Sequence, residues 1–212
     1  MEEGFLILVL QILGVSFEDK INYLFFLIVY MIIAISGLHG TGKSVVGKAV
    51  AEQFGLKYHS TGILFRIIAK ENGLSLEQLS KRAEKDRTID NTIDFRIKQM
   101  ALKGDCILDN QLSPFLLKDI VEFSILLTCD KDIRINRMME RDTEGLEAKR
   151  YETELREQSE RKRFLEYYGI DIANPELIQN TFNFILDTTT ISIQEVITKV
   201  MAAIKQYDGF SA

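Results

Sequence analysis

The sequence predicts an α/β fold: a parallel sheet of five strands with helices on both faces. Three observations carry the prediction. Short apolar runs alternate with longer stretches of helical periodicity, the pattern of strand–crossover–strand units. Residues 31–36 (MIIAIS) are almost wholly apolar, as a strand buried on both faces of a parallel sheet must be. A glycine-rich turn follows that run, and a helical pattern follows the turn. The chain has 212 residues, enough for one domain with a substantial core. It carries 31 acidic and 26 basic side chains, a net charge of -5. That balance argues against a general nucleic-acid binder, which is normally basic. The two cysteines, Cys106 and Cys129, exclude a disulfide framework and a four-cysteine zinc site, and they fit a reducing cytoplasmic compartment.

The elements follow in order. Residues 1–30 hold two apolar runs split by Glu18, Asp19 and Lys20. The first run is too short to span a bilayer, which takes ~20 residues. Glu2 and Glu3 are the wrong charge for a signal peptide. The expectation is that this segment lies upstream of the true start at Met31. An anchor on a membrane surface and an extra packed element are the alternatives. Residues 31–212 then form the functional domain. After the first strand, Val45, Val46, Ala49, Val50 and Phe54 have helical spacing, and Gly55 sits where a helix-ending glycine would. Residues 57–59 suit a second strand. Ser60 and Thr61 offer an N-cap for a helix over residues 62–71 that stops near Gly73. A further helix starts at residues 74–78, and a longer one carries Ile89, Ile93, Ile97 and Ala101 four apart. Strands are predicted at 105–109, 124–129 and 182–186. Residues 131–169 are helical and about half charged, with a break at Gly145. Ile193, Val196, Ile197, Val200 and Ile204 make a last amphipathic helix.

Residues 37–44 read GLHGTGKS and fit G-x-x-x-x-G-K-[ST], the P-loop of NTPases. Glycines let backbone N–H groups turn inward around phosphate oxygens, and the following helix adds its positive end. Lys43, with no competing partner within the motif, reaches the β- and γ-phosphates, and Ser44 offers a hydroxyl to Mg²⁺. Asp109 ends an apolar strand. It either holds the magnesium through water or, on a plainer reading, caps a helix or turn.

Two further segments narrow the chemistry. Residues 60–66 read STGILFR, and residues 156–163 read REQSERKR, followed by YYGIDI at 167–172. Together with the P-loop they make residues 31 to about 205 resemble the short archaeal-type cytidylate kinases, among the adenylate kinase-like nucleoside monophosphate kinases. The resemblance implies transfer of the ATP γ-phosphate to CMP or dCMP with Mg²⁺, in pyrimidine nucleotide metabolism. It implies an ATP loop of Gly37, Leu38, His39, Gly40, Thr41, Gly42, Lys43, Ser44 and Val45. Thr61, Arg66 and the residue at Gln111 would meet the acceptor nucleotide. Arg137 would stack near the adenine, and Arg141 and Arg156 would clamp phosphates from a lid at about 141–163. His39, as a variable loop position, is expected to be a bystander. One departure matters: the resembled enzymes read acidic-Gly-Arg after the third strand, where this chain has Asp109, Asn110 and Gln111. Glutamine lacks both the charge and the fork of arginine.

Rival readings share parts of this pattern. An adenylate or uridylate kinase would differ only in base contacts. A shikimate- or gluconate-type kinase would carry D-x-D after the second strand, where this chain has Tyr58, His59, Ser60 and Thr61. A nucleotide-binding module without catalysis is the reading from another class.

Overall fold

The computed structural model describes residues 31–142 and 145–207. Residues 1–30, with the expectations placed on them, lie outside the described residues. The chain runs β1 (Ile32–Ser36), α1 (Lys43–Phe54), β2 (Lys57–Ser60), α2 (Thr61–Glu71), α3 (Leu76–Ala83), α4 (Thr88–Ala101) and β3 (Cys106–Asp109). It continues α5 (Ser113–Leu116), β4 (Phe123–Thr128), α6 (Lys131–Asp142), α7 (Leu146–Tyr168), α8 (Pro175–Thr181), β5 (Phe184–Asp187) and α9 (Ile193–Lys205). All strand pairs are parallel, in the order β2-β3-β1-β4-β5.

Side chains alternate across a strand, and β1 uses both faces. Ile32 and Ala34 join Cys106 and Leu108 in a core closed by α2, α3 and α4. Ile33 and Ile35 join Ile107, Ile125 and Leu127 in a second core closed by α1 and α9. The apolar run at 31–36 is thus the shared wall of two cores. The predicted periodicity of α4 meets the first of them through Ile89, Ile93, Ile97 and Ala101.

Capping explains several boundaries. Ser75 with Gln78, and Ser192 with Glu195, make reciprocal capping boxes at the starts of α3 and α9. Gly55 ends α1 in the left-handed conformation. Ser60 is the N-cap residue of α2, but its side chain makes no capping bond, contrary to expectation. The third strand starts one residue late because Asp105 turns at φ 44 and its carboxylate accepts from Met31 N. The fifth strand also starts late. An Asn174-capped helix, α8, takes the chain to Thr181, and Asn183 then bonds Ser124 before pairing begins. That helix was absent from the sequence prediction. No helix among the described residues is long and apolar enough to cross a membrane.

With β1 central and β3 and β4 flanking it, the loops after β1 and β3 open side by side at the carboxyl edge of the sheet. Ligands bind at that edge in open parallel sheets.

Candidate active site

A cleft of about 570 Å³ lies at this edge. Its floor is the loop between β1 and α1, which bends through positive φ at Gly37, Gly40 and Gly42. At Gly40 an added Cβ would stand 2.5 Å from the Arg134 carbonyl oxygen, so only glycine fits. Arg134 itself, 3% exposed, donates to the His39 carbonyl at 2.7 Å and to Glu157 at 2.6 Å. It braces the loop from α6 and α7. Thr41 Oγ1 donates to Leu38 O at 2.9 Å, closing the turn from within.

Lys43 departs from the expectation that the motif leaves it without a partner. Its Nζ donates to Leu38 O at 2.8 Å. Burial lowers its pKa, and the charges of Asp109, Glu160 and Glu157 work against that drop. A desolvated ammonium held by one carbonyl gains much from meeting phosphate oxygens.

Beside it, Ser44 Oγ donates to Asp109 Oδ2 at 2.7 Å. Tyr58 donates to the same oxygen at 2.5 Å. Burial first, and then the Asp109 charge, push the Tyr58 phenol far above its ordinary pKa, so Tyr58 stays a donor. Tyr58 owes its place to Gly47, where a Cβ would meet its ring at 2.8 Å. Asp109 is 4% exposed, and its carboxylate receives these two hydroxyls rather than capping a backbone turn. Hydroxyl and carboxylate oxygens are hard donors that suit Mg²⁺. Among the described residues no group of three or more His, Cys, Asp or Glu could hold a metal alone. The donor set therefore fits an ion that arrives on nucleotide phosphates and keeps waters.

The structure brings most of the predicted residues to one cleft. Gly40, Thr41, Gly42, Lys43, Ser44, Val45 and His39 line it, as do Thr61, Arg66, Asp109 and Gln111. Gly37 and Leu38 lie in the loop but not on the lining. Arg137 reaches the lining while donating to the Thr188 carbonyl at 2.7 Å. Arg156 lines it from α7, with Glu152 at 3.7 Å and Glu160 at 3.9 Å. Arg141 belongs to α6, but its side chain lies outside the described residues. Arg66 Nη1 turns back to Gly62 O at 3.1 Å.

His39 is no bystander. Its Nε2 meets both Glu160 oxygens at 3.0 Å. Gln111 Nε2 donates to the same carboxylate at 2.8 Å. Burial alone would lift the Glu160 pKa, but His39, Arg156 and Arg163 outweigh it and hold the carboxyl well below its usual range. One α7 carboxylate thus ties the P-loop, the loop after β3 and Arg156 together. Sequence reading gave Glu160 no role of its own within REQSERKR. It missed Tyr58 and the pairs at the far end of the cleft, Asp90 with Arg163 and Asp94 with Tyr168. The signal for the first was a tyrosine on β2, near the P-loop helix; the pairs left none.

A family model described as cytidylate kinase-like matches residues 32–189. A protein of Staphylothermus marinus named cytidylate kinase is 39% identical over 177 residues, 84% of this chain and 98% of its own length. One of the same name from Aeropyrum pernix is 40% identical, across 76% of this chain and 91% of its own. Among solved structures, a protein of Eubacterium ventriosum superposes with TM-score 0.62 at 17% identity, covering 83% of this chain and 99% of its own. Shikimate kinase from Acinetobacter baumannii superposes with TM-score 0.54 at 14% identity, covering 84% and 94%. At such identities the structures speak for the shared fold alone.

Proposed function

The chain belongs to the cytidylate kinase-like family, and from that premise we propose that it transfers the γ-phosphate of ATP to CMP or dCMP, giving ADP and CDP or dCDP. The observation that carries this reading is the single cleft joining the P-loop to Thr61, Arg66 and Gln111. Donor and acceptor would meet there away from bulk water.

An acceptor phosphate oxygen attacks the γ-phosphorus, and the bond from that phosphorus to the β,γ-bridging oxygen breaks. The charge spreads over the equatorial oxygens and needs fixed donors. Inward N–H groups of residues 37–45 and Lys43 supply them on the donor side. Arg66 holds the acceptor phosphate. Arg141 and Arg156 close over the transferring group from α6 and α7. Ser44 and Asp109 would hold Mg²⁺, which when bound neutralises phosphate charge. Arg137, pinned to Thr188, marks the end of the cleft for the adenine. The working compartment is taken as the cytoplasm and the role as pyrimidine nucleotide metabolism.

Formation of ADP with CMP, dCMP, UMP and AMP, each offered separately, tests the reading. CMP and dCMP should give the highest kcat/KM. Preference for AMP or UMP, or turnover with none, would overturn it.

A further inference from the structure

The Asp109 carboxylate is held by one oxygen. Both hydroxyls that meet it, from Ser44 and Tyr58, donate to Oδ2. Among the hydrogen bonds of the described residues Oδ1 accepts none, although Asp109 is only 4% exposed. A carboxylate oxygen taken from water and left without a donor is costly. Asp109 lines the cleft, where a donor can arrive. Ser44, in the first turn of α1, lines it too. Tyr58 is not on that lining, and the transfer step makes no use of it.

The sheet explains how Tyr58 reaches Asp109. β2 and β3 are parallel, with Tyr58 opposite Ile107 and Ser60 opposite Asp109. Residues two apart on a strand point to the same face. Tyr58 and Asp109 therefore stand on one face, a two-residue step apart. That step is ~6.6 Å, a span that a tyrosine covers and a short side chain does not. The ring is seated by its neighbours. A Cβ at Gly47 would stand 2.8 Å from Tyr58 Cε2, and the ring packs against the core that holds Ile33, Val46 and Val50. Lys48 Nζ lies 5.9 Å from its centroid.

We infer that Tyr58 is a positioning residue for the divalent cation of the nucleotide: by holding Oδ2 it keeps the Asp109 carboxylate turned with Oδ1 toward the water shell of the ion. This rests on the proposed Mg²⁺ site at Ser44 and Asp109 and deepens it. A serine hydroxyl can donate its proton to Oδ2 and still offer lone pairs to a cation. Tyr58 supplies the second anchor, from outside the cleft. Without it, Ser44 alone would hold Oδ2, and the carboxylate could turn about its last, softly restrained bond. Outer partners that orient metal-site groups are typically worth ~10–100-fold in metal affinity.

The test is binding of Mn²⁺ to the full chain in the presence of ADP, read from the electron paramagnetic resonance signal of unbound Mn²⁺, with Tyr58→Phe. Phenylalanine keeps the ring and its packing and removes only the hydroxyl. Y58F should raise the Kd for Mn²⁺ by ~10-fold or more. Its Kd for ADP without metal should be unchanged, because no group of the P-loop is altered. The Mg²⁺ concentration that half-saturates transfer to CMP should rise by a similar factor, with the KM for CMP unchanged. A merely structural role would instead weaken metal-free ADP binding along with the rest. Should Y58F melt below the assay temperature, Gly47→Ala keeps the hydroxyl and presses on the ring; it should raise the Kd for Mn²⁺ by a smaller factor. An unchanged Kd for Mn²⁺ in Y58F, or in G47A where Y58F does not fold, would overturn the inference, as would equal losses of Mn²⁺ and metal-free ADP binding. A wild-type chain that binds Mn²⁺ with ADP yet phosphorylates no cytidine nucleotide would overturn the proposed function and leave this inference standing.

Discussion

Lys43 is half-buried and bonded only to the Leu38 carbonyl among the contacts described. Its removal leaves one carbonyl beside a loop whose shape is held by Thr41 and Arg134. Lys43→Ala should therefore lower kcat by ~10²-fold or more, with melting temperature nearly unchanged. Near-normal turnover would remove Lys43 from the transfer step. Arg66 lines the same cleft as the P-loop, and its proposed role is to hold the acceptor phosphate. Arg66→Ala should raise the KM for CMP by ~10-fold, the scale of one charge-assisted bond, and the KM for ATP far less. An equal rise for both would place Arg66 elsewhere. Such residues were legible because their motifs are local: eight positions specify the loop, and seven specify STGILFR. Tyr58, Glu160 and Asp94 were not. Their partners lie 51, 121 and 74 positions away, and no spacing within one helix or strand encodes such a meeting.

At the scale of elements, α7 joins three parts of the cleft. It presents Glu160 to the P-loop through His39 and to the loop after β3 through Gln111. It also presents Arg163 to α4 through Asp90. Gln111 thus binds the Glu160 carboxylate, while Arg66, Arg156 and Arg163 line the same cleft. Glu160→Gln should destabilise the protein at neutral pH by about 3 kcal/mol, the typical cost of breaking a buried ionic network. The folded-state pKa of Glu160 lies below its ordinary value. Its contribution is therefore complete above the unfolded value of ~4.3 and is lost as pH falls toward the folded one. Urea melts of both proteins from pH 7 downward should show the gap closing below about pH 4.3. A gap that is constant with pH would mean that the Glu160 charge contributes nothing. Element types were legible from periodicity and caps, as in α4 and α9. The start of β5 was not, because α8 is short and is set by the Asn174 cap and Pro175 rather than by an apolar stripe.

At the scale of the molecule, two cores are built among the described residues on either face of the sheet. β1 is the shared wall, and its first backbone groups are already engaged: Met31 N donates to Asp105 and Ile32 N to Glu122 at 2.9 Å. Met31 itself packs against the core shared with α1 and α9. The family match begins at residue 32. A chain shortened to begin at Met31 is therefore expected to keep its stability within ~0.5 kcal/mol, as for changes away from the core. At this size that is a melting shift of about 1–2 °C. Its kcat and both KM values should match those of the full chain, since every described cleft residue lies beyond Met31. The full chain carries two additional apolar runs, and it should bind detergent or a lipid surface more readily than the shortened one. If residues 5–17 instead belong to the core, their loss would act like removal of buried side chains, ~2–5 kcal/mol for even one large residue. The shortened chain would then melt markedly earlier. Melting temperature, turnover and detergent binding of the two chains, measured side by side, separate these outcomes. An early melt or lost turnover in the shortened chain would return residues 1–30 to the fold.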